Sequence, residues 1–337
     1  MPPPRYRWPA LLAVLLALSA LSLAAGAGRV GLAESWAWLL GQRDDAHVVM
    51  VIEHLRLPRL IAALAVGGAL GCAGVLLQTV TRNPLAEPGL LGVNSGAAFA
   101  VALGFTLLGT LSLAGQMAWA LAGALVGAAL VLLLARAGET ESSPLRLILA
   151  GIALTATCHG LMAWLLMSRQ ESLDQFRFWS MGSLARLTPE LLWAGMPLLV
   201  AGFAGCMLLL RPLSMLTLGD EQARGLGARP DRIRMLAMVC VALLAGAAVA
   251  LVGPIAFLGL VAPYFARGLG AIAVPSQLAS SALFGAALLL AADIAARLIV
   301  SPFEAPASAV IALLGAPLVI VMVRRDALLS LTRTGAE

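Results

Sequence analysis

Between Pro58 and Val80 the chain reads PRLIAALAVGGALGCAGVLLQTV, with Arg59 its only charged residue. A helix rises about 1.5 Å per residue, so roughly 20 apolar residues cross the hydrocarbon core of a bilayer. This run is long enough. Its centre, Gly67-Gly-Ala-Leu-Gly71, is built of small residues. Lipid supplies no hydrophobic drive between helices, and small residues that let backbones approach mark helix–helix contact. The run therefore reads as a membrane-spanning helix surrounded by other helices.

The same reading extends outward along the chain. Of 337 residues, 61% are hydrophobic and 12% charged, with mean hydropathy +0.96. Soluble domains carry about 25% charged residues, so a water-soluble enzyme and a disordered chain are both excluded. Ten apolar runs appear, at 9–28, 58–80, 92–112, 114–135, 146–168, 190–211, 233–252, 254–270, 275–299 and 306–323. The fold class expected is an all-α polytopic membrane protein with ten transmembrane helices in one domain, 1–337. The first run, behind Arg5 and Arg7, is longer than a signal-peptide core and reads as a retained span.

All 22 basic residues are arginines. With the N-terminus inside, fourteen fall on the cytoplasmic side and eight outside, the asymmetry of the positive-inside rule. Both termini are expected in the cytoplasm of a bacterial inner membrane. Segments 29–57 and 169–189 then lie outside; the polar segment 212–232 lies inside. The backbone is broken by Pro and Gly at Asn83 to Gly96 and again at Gly253 to Pro263, a pairing found beside transport pathways.

Absences bound the chemistry. Without lysine there is no G-x-x-x-x-G-K-[ST] phosphate loop. No G-x-S-x-G elbow or H-E-x-x-H pair occurs. Cys72, Cys158, Cys206 and Cys240 lack disulfide or zinc spacing and read as buried thiols. His159, alone within a span, suits interhelical hydrogen bonding better than haem or metal ligation. Asp293 and Arg297 share a helix face four residues apart and read as a mutually neutralising pair. Arg56 and Arg59 flank Pro58 at an outer helix end, where snorkelling and docking of an acidic partner both fit.

Several stretches resemble the FecCD family of permeases from binding-protein-dependent ABC importers for ferric siderophores, haem and cobalamin. They are Leu55-Arg-Leu-Pro-Arg-Leu60, Asn83-Pro-Leu-Ala-Glu-Pro-Gly-Leu-Leu-Gly92, Phe178-Trp-Ser-Met-Gly-Ser183, Leu218 to Gly227, Gly253 to Pro263, Leu290 to Arg297 and Leu314-Gly-Ala-Pro317. The likeness covers about residues 50–325. Two departures are Tyr264 after Pro263 and Pro306-Ala307-Ser308 before the last run.

The resemblance implies a dimer with a second permease, identical or paralogous, above two ATP-binding cassette subunits, with a substrate-binding protein outside. It implies no enzyme activity, metal or cofactor on this chain, ATP and Mg being held by the ATPases. Arg56, Arg59 and Arg297 would dock the binding protein. Leu218, Gly219, Asp220, Glu221, Ala223, Arg224, Gly225, Leu226 and Gly227 would seat in the ATPases. Asn83, Leu85, Ser142 and Ser143 would form the cytoplasmic gate, and His159 and Met162 would line the pathway. The cargo expected is a ferric siderophore, ahead of haem or cobalamin; an ion-coupled secondary transporter and a membrane enzyme are the rivals from other classes.

Overall fold

The computed structural model describes residues 7–24, 30–41, 45–136, 144–299 and 304–334. Helix α1 (Arg7–Ala24) is followed by α2 (Leu32–Leu39) and α3 (Ala46–Met50). A π-helical turn, Val51–Arg56, feeds α4 (Leu57–Thr81) without a break. Then come α5 (Val93–Leu108), α6 (Leu113–Arg136), α7 (Pro144–Met167), α8 (Gln170–Ser180), α9 (Pro189–Leu208), α10 (Leu210–Leu216) and α11 (Asp220–Gly225). Finally α12 (Pro230–Val252), α13 (Leu258–Gly268), α14 (Val274–Ile299) and α15 (Ala307–Thr334) complete the chain. Among the described residues there is no strand.

Among the described residues, six helical stretches are long and apolar enough to cross a membrane: Ala46–Thr81, Leu113–Ala135, Arg146–Met167, Pro189–Leu208, Pro230–Val252 and Val274–Ile299. Trp8–Ala24, Val93–Leu108 and Ala307–Val321 are apolar but shorter. The run expected at 254–270 departs most from a full span. Its helix, α13, has 11 residues, about 16 Å at 1.5 Å per residue, half the hydrocarbon thickness. Gly253 at φ +79 ends α12, and Phe257 at φ +66 precedes α13, so the backbone between them is not helical.

Two helices make the centre. The most apolar windows of α4 and α12 are 83% and 78% buried, against 28% for α6, α7 and α9. The centre is tight because α4 and α14 touch through backbone. A Cβ on Gly67 would stand 2.4 Å from the Gly285 carbonyl oxygen, and one on Gly285 would stand 2.1 Å from that of Gly67. No side chain fits in that gap, which is why the sequence places glycine on both helices.

The two Pro/Gly breaks meet in space. The Glu87 carboxylate accepts a hydrogen bond from the Phe257 amide at the start of α13, where a helix N-terminus favours negative charge. Pro88 lies against Gly259, which itself packs on Gly74. Since Gly74 sits two turns before the end of α4, α13 begins inside the span and not at its surface. Non-helical backbone at such depth is tolerated only where protein encloses it. The second break is also sheltered from its other side: Ser183 N donates to Val252 O at 2.8 Å and Ser308 N to Gly182 O at 3.3 Å.

Candidate functional site

Helix α4 has arginines at both ends: Arg56 and Arg59 about its start and Arg82 just past its last residue. At its first turn Pro58 suits the helix start, where an amide has no partner anyway. Arg56, the residue before the helix, is 1% exposed. Its Nη1 donates to Leu23 O at 2.7 Å, Ala24 O at 3.1 Å and Ser35 Oγ at 3.0 Å; Nη2 donates to Val30 O at 2.9 Å. Arg59 donates from Nη1 to both Glu304 oxygens, at 2.9 and 3.0 Å, and from Nη2 to Asp293 Oδ1 at 2.9 Å. Arg297 pairs with Asp293, as their spacing on one helix face foretold, and donates to Ser22 Oγ at 2.8 Å.

The structure thus gathers Arg56, Arg59 and Arg297, but it does not present them. They are 1%, 7% and 5% exposed. Carbonyls at the end of α1 and at Val30, the Ser22 and Ser35 hydroxyls and the Glu304 and Asp293 carboxylates enclose them, and among the described residues Arg59 Nε is buried without a partner. An outward-facing docking set is therefore not what this conformation displays.

The opposite end of α4 differs. Arg82 takes φ +51 and ends the helix ahead of Pro84, before which helical backbone is disfavoured. Its Nη2 reaches Asp220 Oδ1 at 2.6 Å. Asp220 opens α11 and accepts from Arg234 Nη2 at 2.8 Å on each oxygen. Arg234, on the first turn of α12, is buried. One carboxylate therefore clamps the exposed α11 to the ends of both central helices. Gly219 at φ +112 and Gly227 at φ +82 bracket α11 and turn the chain as L side chains rarely can. Ala223 anchors it, fully buried, while Leu218, Glu221, Arg224, Gly225 and Leu226 are exposed.

Burial pushes the Asp220 carboxyl up, but hydrogen bonds and charge from Arg234, with the charges of Arg82 and Arg224, outweigh it and hold the group below the usual carboxylate range. The sequence marked α11 but not its partners Arg82 and Arg234, which lie 138 and 14 residues away. The acidic pair Asp220-Glu221 at the start of an arginine-rich segment was the available signal.

The other expected residues divide. Asn83 Oδ1 accepts from Leu85 N at 2.9 Å, closing an Asx turn that leaves Leu85 exposed beside Arg82. Ser142 and Ser143 lie outside the described residues. His159 is exposed on α7. Met162 is not on that open face: it is buried with Ala102 and Leu166 against Phe176 and Leu173, because α8 folds back on α7 there and offers the apolar wall a thioether fills. All four cysteines are buried free thiols.

Among the described residues an all-helical bundle with small-residue contacts, an ion cluster at one end of its central helix and a clamped polar hairpin at the other has the architecture of a polytopic membrane protein. The FecCD transport family matches residues 14–325. The chain belongs to that family. It is 44% identical to the ferric enterobactin transport system permease protein FepD of Escherichia coli (strain K12), over 97% of this chain and 96% of that one. It is 38% identical to the iron(3+)-hydroxamate import system permease protein FhuB of Bacillus subtilis (strain 168), over 93% and 81%. It is 37% identical to the hemin transport system permease protein HmuU of Yersinia pestis, over 94% of each. A solved transporter described as of metal-chelate ABC type, in an inward-facing conformation, superposes with TM-score 0.80 at 32% identity, covering 94% of this chain and 97% of that one.

Proposed function

We propose that this chain is the membrane permease subunit of an ATP-driven importer of iron complexes, with a ferric siderophore as cargo. The names of its relatives supply the cargo class, since enterobactin and hydroxamate permeases share 44% and 38% of residues with it. The observation that carries the mechanism is the Asp220 clamp. An ATPase subunit that gripped exposed α11 and moved it would pull on Arg82 and Arg234 together, and so on α4 and α12. These are the two most buried helices, and packed cores shift as rigid units between discrete arrangements. Motion at the inner face would reach the outer ion cluster of Arg59, Asp293 and Glu304 along α4 itself.

ATP and Mg would sit on two partner ATPases, a second permease would complete the pathway, and a substrate-binding protein would deliver cargo from outside. The chain itself would do no chemistry. Its N- and C-termini would be cytoplasmic. The exposed faces of α7 and α9 are where a second permease or lipid would pack. In that assembly Arg56, Arg59 and Arg297 would meet the binding protein only after the covering segments shift, so docking and outer-cluster opening would be one event. An ion-coupled mechanism finds little support: Asp293, the acid deepest in the ion cluster, is held by two arginines.

Reconstitution with the cognate ATPases and binding protein tests this. Proteoliposomes should accumulate labelled ferric siderophore with internal ATP and stop when a non-hydrolysable analogue replaces it; uptake indifferent to ATP overturns the reading. Haem is the second cargo, on the strength of exposed His159, and the same vesicles offered haem with its binding protein decide between them.

A further inference from the structure

The face opposite α11 holds a cavity of about 580 Å³, within the size range of small-ligand sites. Its position follows from α4. Glu304, on the cavity wall, pairs with Arg59 in the first turn of α4, whereas α11 pairs with Arg82 beyond its last turn. Twenty-five residues of helix separate these ends, about 37 Å at 1.5 Å per residue. In an importer, cargo arrives at the end away from the motor.

The wall chemistry is selective. Phe105 forms a buried floor; Phe178, 68% exposed, presents its ring from α8, whose other aromatics Phe176 and Trp179 turn toward the bundle. Glu304 is neutralised, both oxygens being engaged by Arg59 Nη1. Arg186 is not neutralised. Its Nη2 donates to Gln116 Oε1 at 3.0 Å, and among the described residues no carboxylate pairs with it. Gln116 is itself fixed, donating from Nε2 to Leu111 O at 3.0 Å. The result is a guanidinium held in place, with donors to spare, beside an open aromatic face.

We infer that this cavity is an entry subsite for negatively charged metal chelates with aromatic ligand groups, Arg186 selecting charge and Phe178 stacking on the rings. Guanidinium forks favour anionic oxygens and aromatic planes alike. This rests on the importer reading and narrows its cargo.

The test uses the assembled transporter in nanodiscs, without binding protein, and equilibrium retention of two radiolabelled probes: a trianionic ferric tris-catecholate and a neutral ferric tris-hydroxamate. Arg186→Gln should weaken the catecholate about tenfold, the loss of one charge-assisted contact, and leave the hydroxamate within about twofold. Arg186→Lys should recover most of the difference. Phe178→Leu, at an exposed position that cannot disturb the core, should weaken the catecholate alone. Equal effects on both probes, or none in either variant, overturn the subsite. ATP-driven uptake by the wild-type vesicles separates the two readings: uptake intact with no discrimination by the variants sinks the subsite and spares the importer, while no uptake of any iron complex sinks both.

Discussion

Asp220 carries unequal partners, and their burial decides what each contributes. Arg82 is 51% exposed, so that arm is worth about 0–1 kcal/mol after screening. Arg234 is 10% exposed and bonded to both oxygens, and losing its acceptor strands a buried cation. Asp220→Asn should therefore cost about 1–3 kcal/mol in the thermal melt of the purified complex and lower transport per ATP hydrolysed. Because the folded carboxyl titrates below its free value of about 3.9, the clamp is at full strength above that value and is lost as pH falls through the lower folded one. Wild-type melting should show an acid limb below about pH 4 that Asp220→Asn reduces; identical limbs remove Asp220 from the account. At the other end, Arg59→Ala leaves Glu304 without its partner and Asp293 with Arg297 alone. The expected loss is about 3–5 kcal/mol, read as lower yield and melting temperature, while Arg59→Lys keeps part of it. The sequence paired Asp293 with Arg297 through helical spacing alone. It did not reveal Glu304, because that pairing spans 245 residues.

Helix α11 shows how far the local code reaches. Its polarity and its glycines were legible in the sequence; the structure adds that Gly219 and Gly227 take positive φ and bound the helix. What the hairpin touches was not legible. A Cβ at Gly225 meets nothing within 4 Å, so Gly225→Trp should leave the fold and melting temperature unchanged yet impair co-purification of the ATPases; normal co-purification and transport mean α11 is not their seat. Gly71 on α4 gives the opposite case: a Cβ there falls 2.1 Å from the Ser281 carbonyl oxygen. Gly71→Leu must push α4 and α14 apart and should cost at least about 1–3 kcal/mol, seen as loss of monodisperse protein. The short α13 escaped the hydropathy reading because a window sums apolarity and cannot see that Gly253 and Phe257 take backbone angles that end one helix and delay the next.

For the whole molecule, the orientation proposed from where the arginines fall is testable. In a chain freed of native cysteines, a cysteine at Gly225 should react with a membrane-impermeant reagent only from the cytoplasmic side, and one at Arg177 only from outside; the reverse labelling would invert every role assigned to the two ends of α4. The amino-acid sequence by itself determined that this is a helical membrane protein of the FecCD kind with no G-x-x-x-x-G-K-[ST] loop. Those properties depend on local composition and short motifs: apolar length, the absence of lysine, glycine at contact points. Only the tertiary structure decided that the three arginines turn inward, that Met162 belongs to the core, that the two broken segments shelter each other, and that Asp220 joins α11 to α4 and α12. Charges and backbone groups taken out of water must find partners wherever the fold brings them close, and that closeness is set by packing across hundreds of residues, which no stretch of sequence encodes alone.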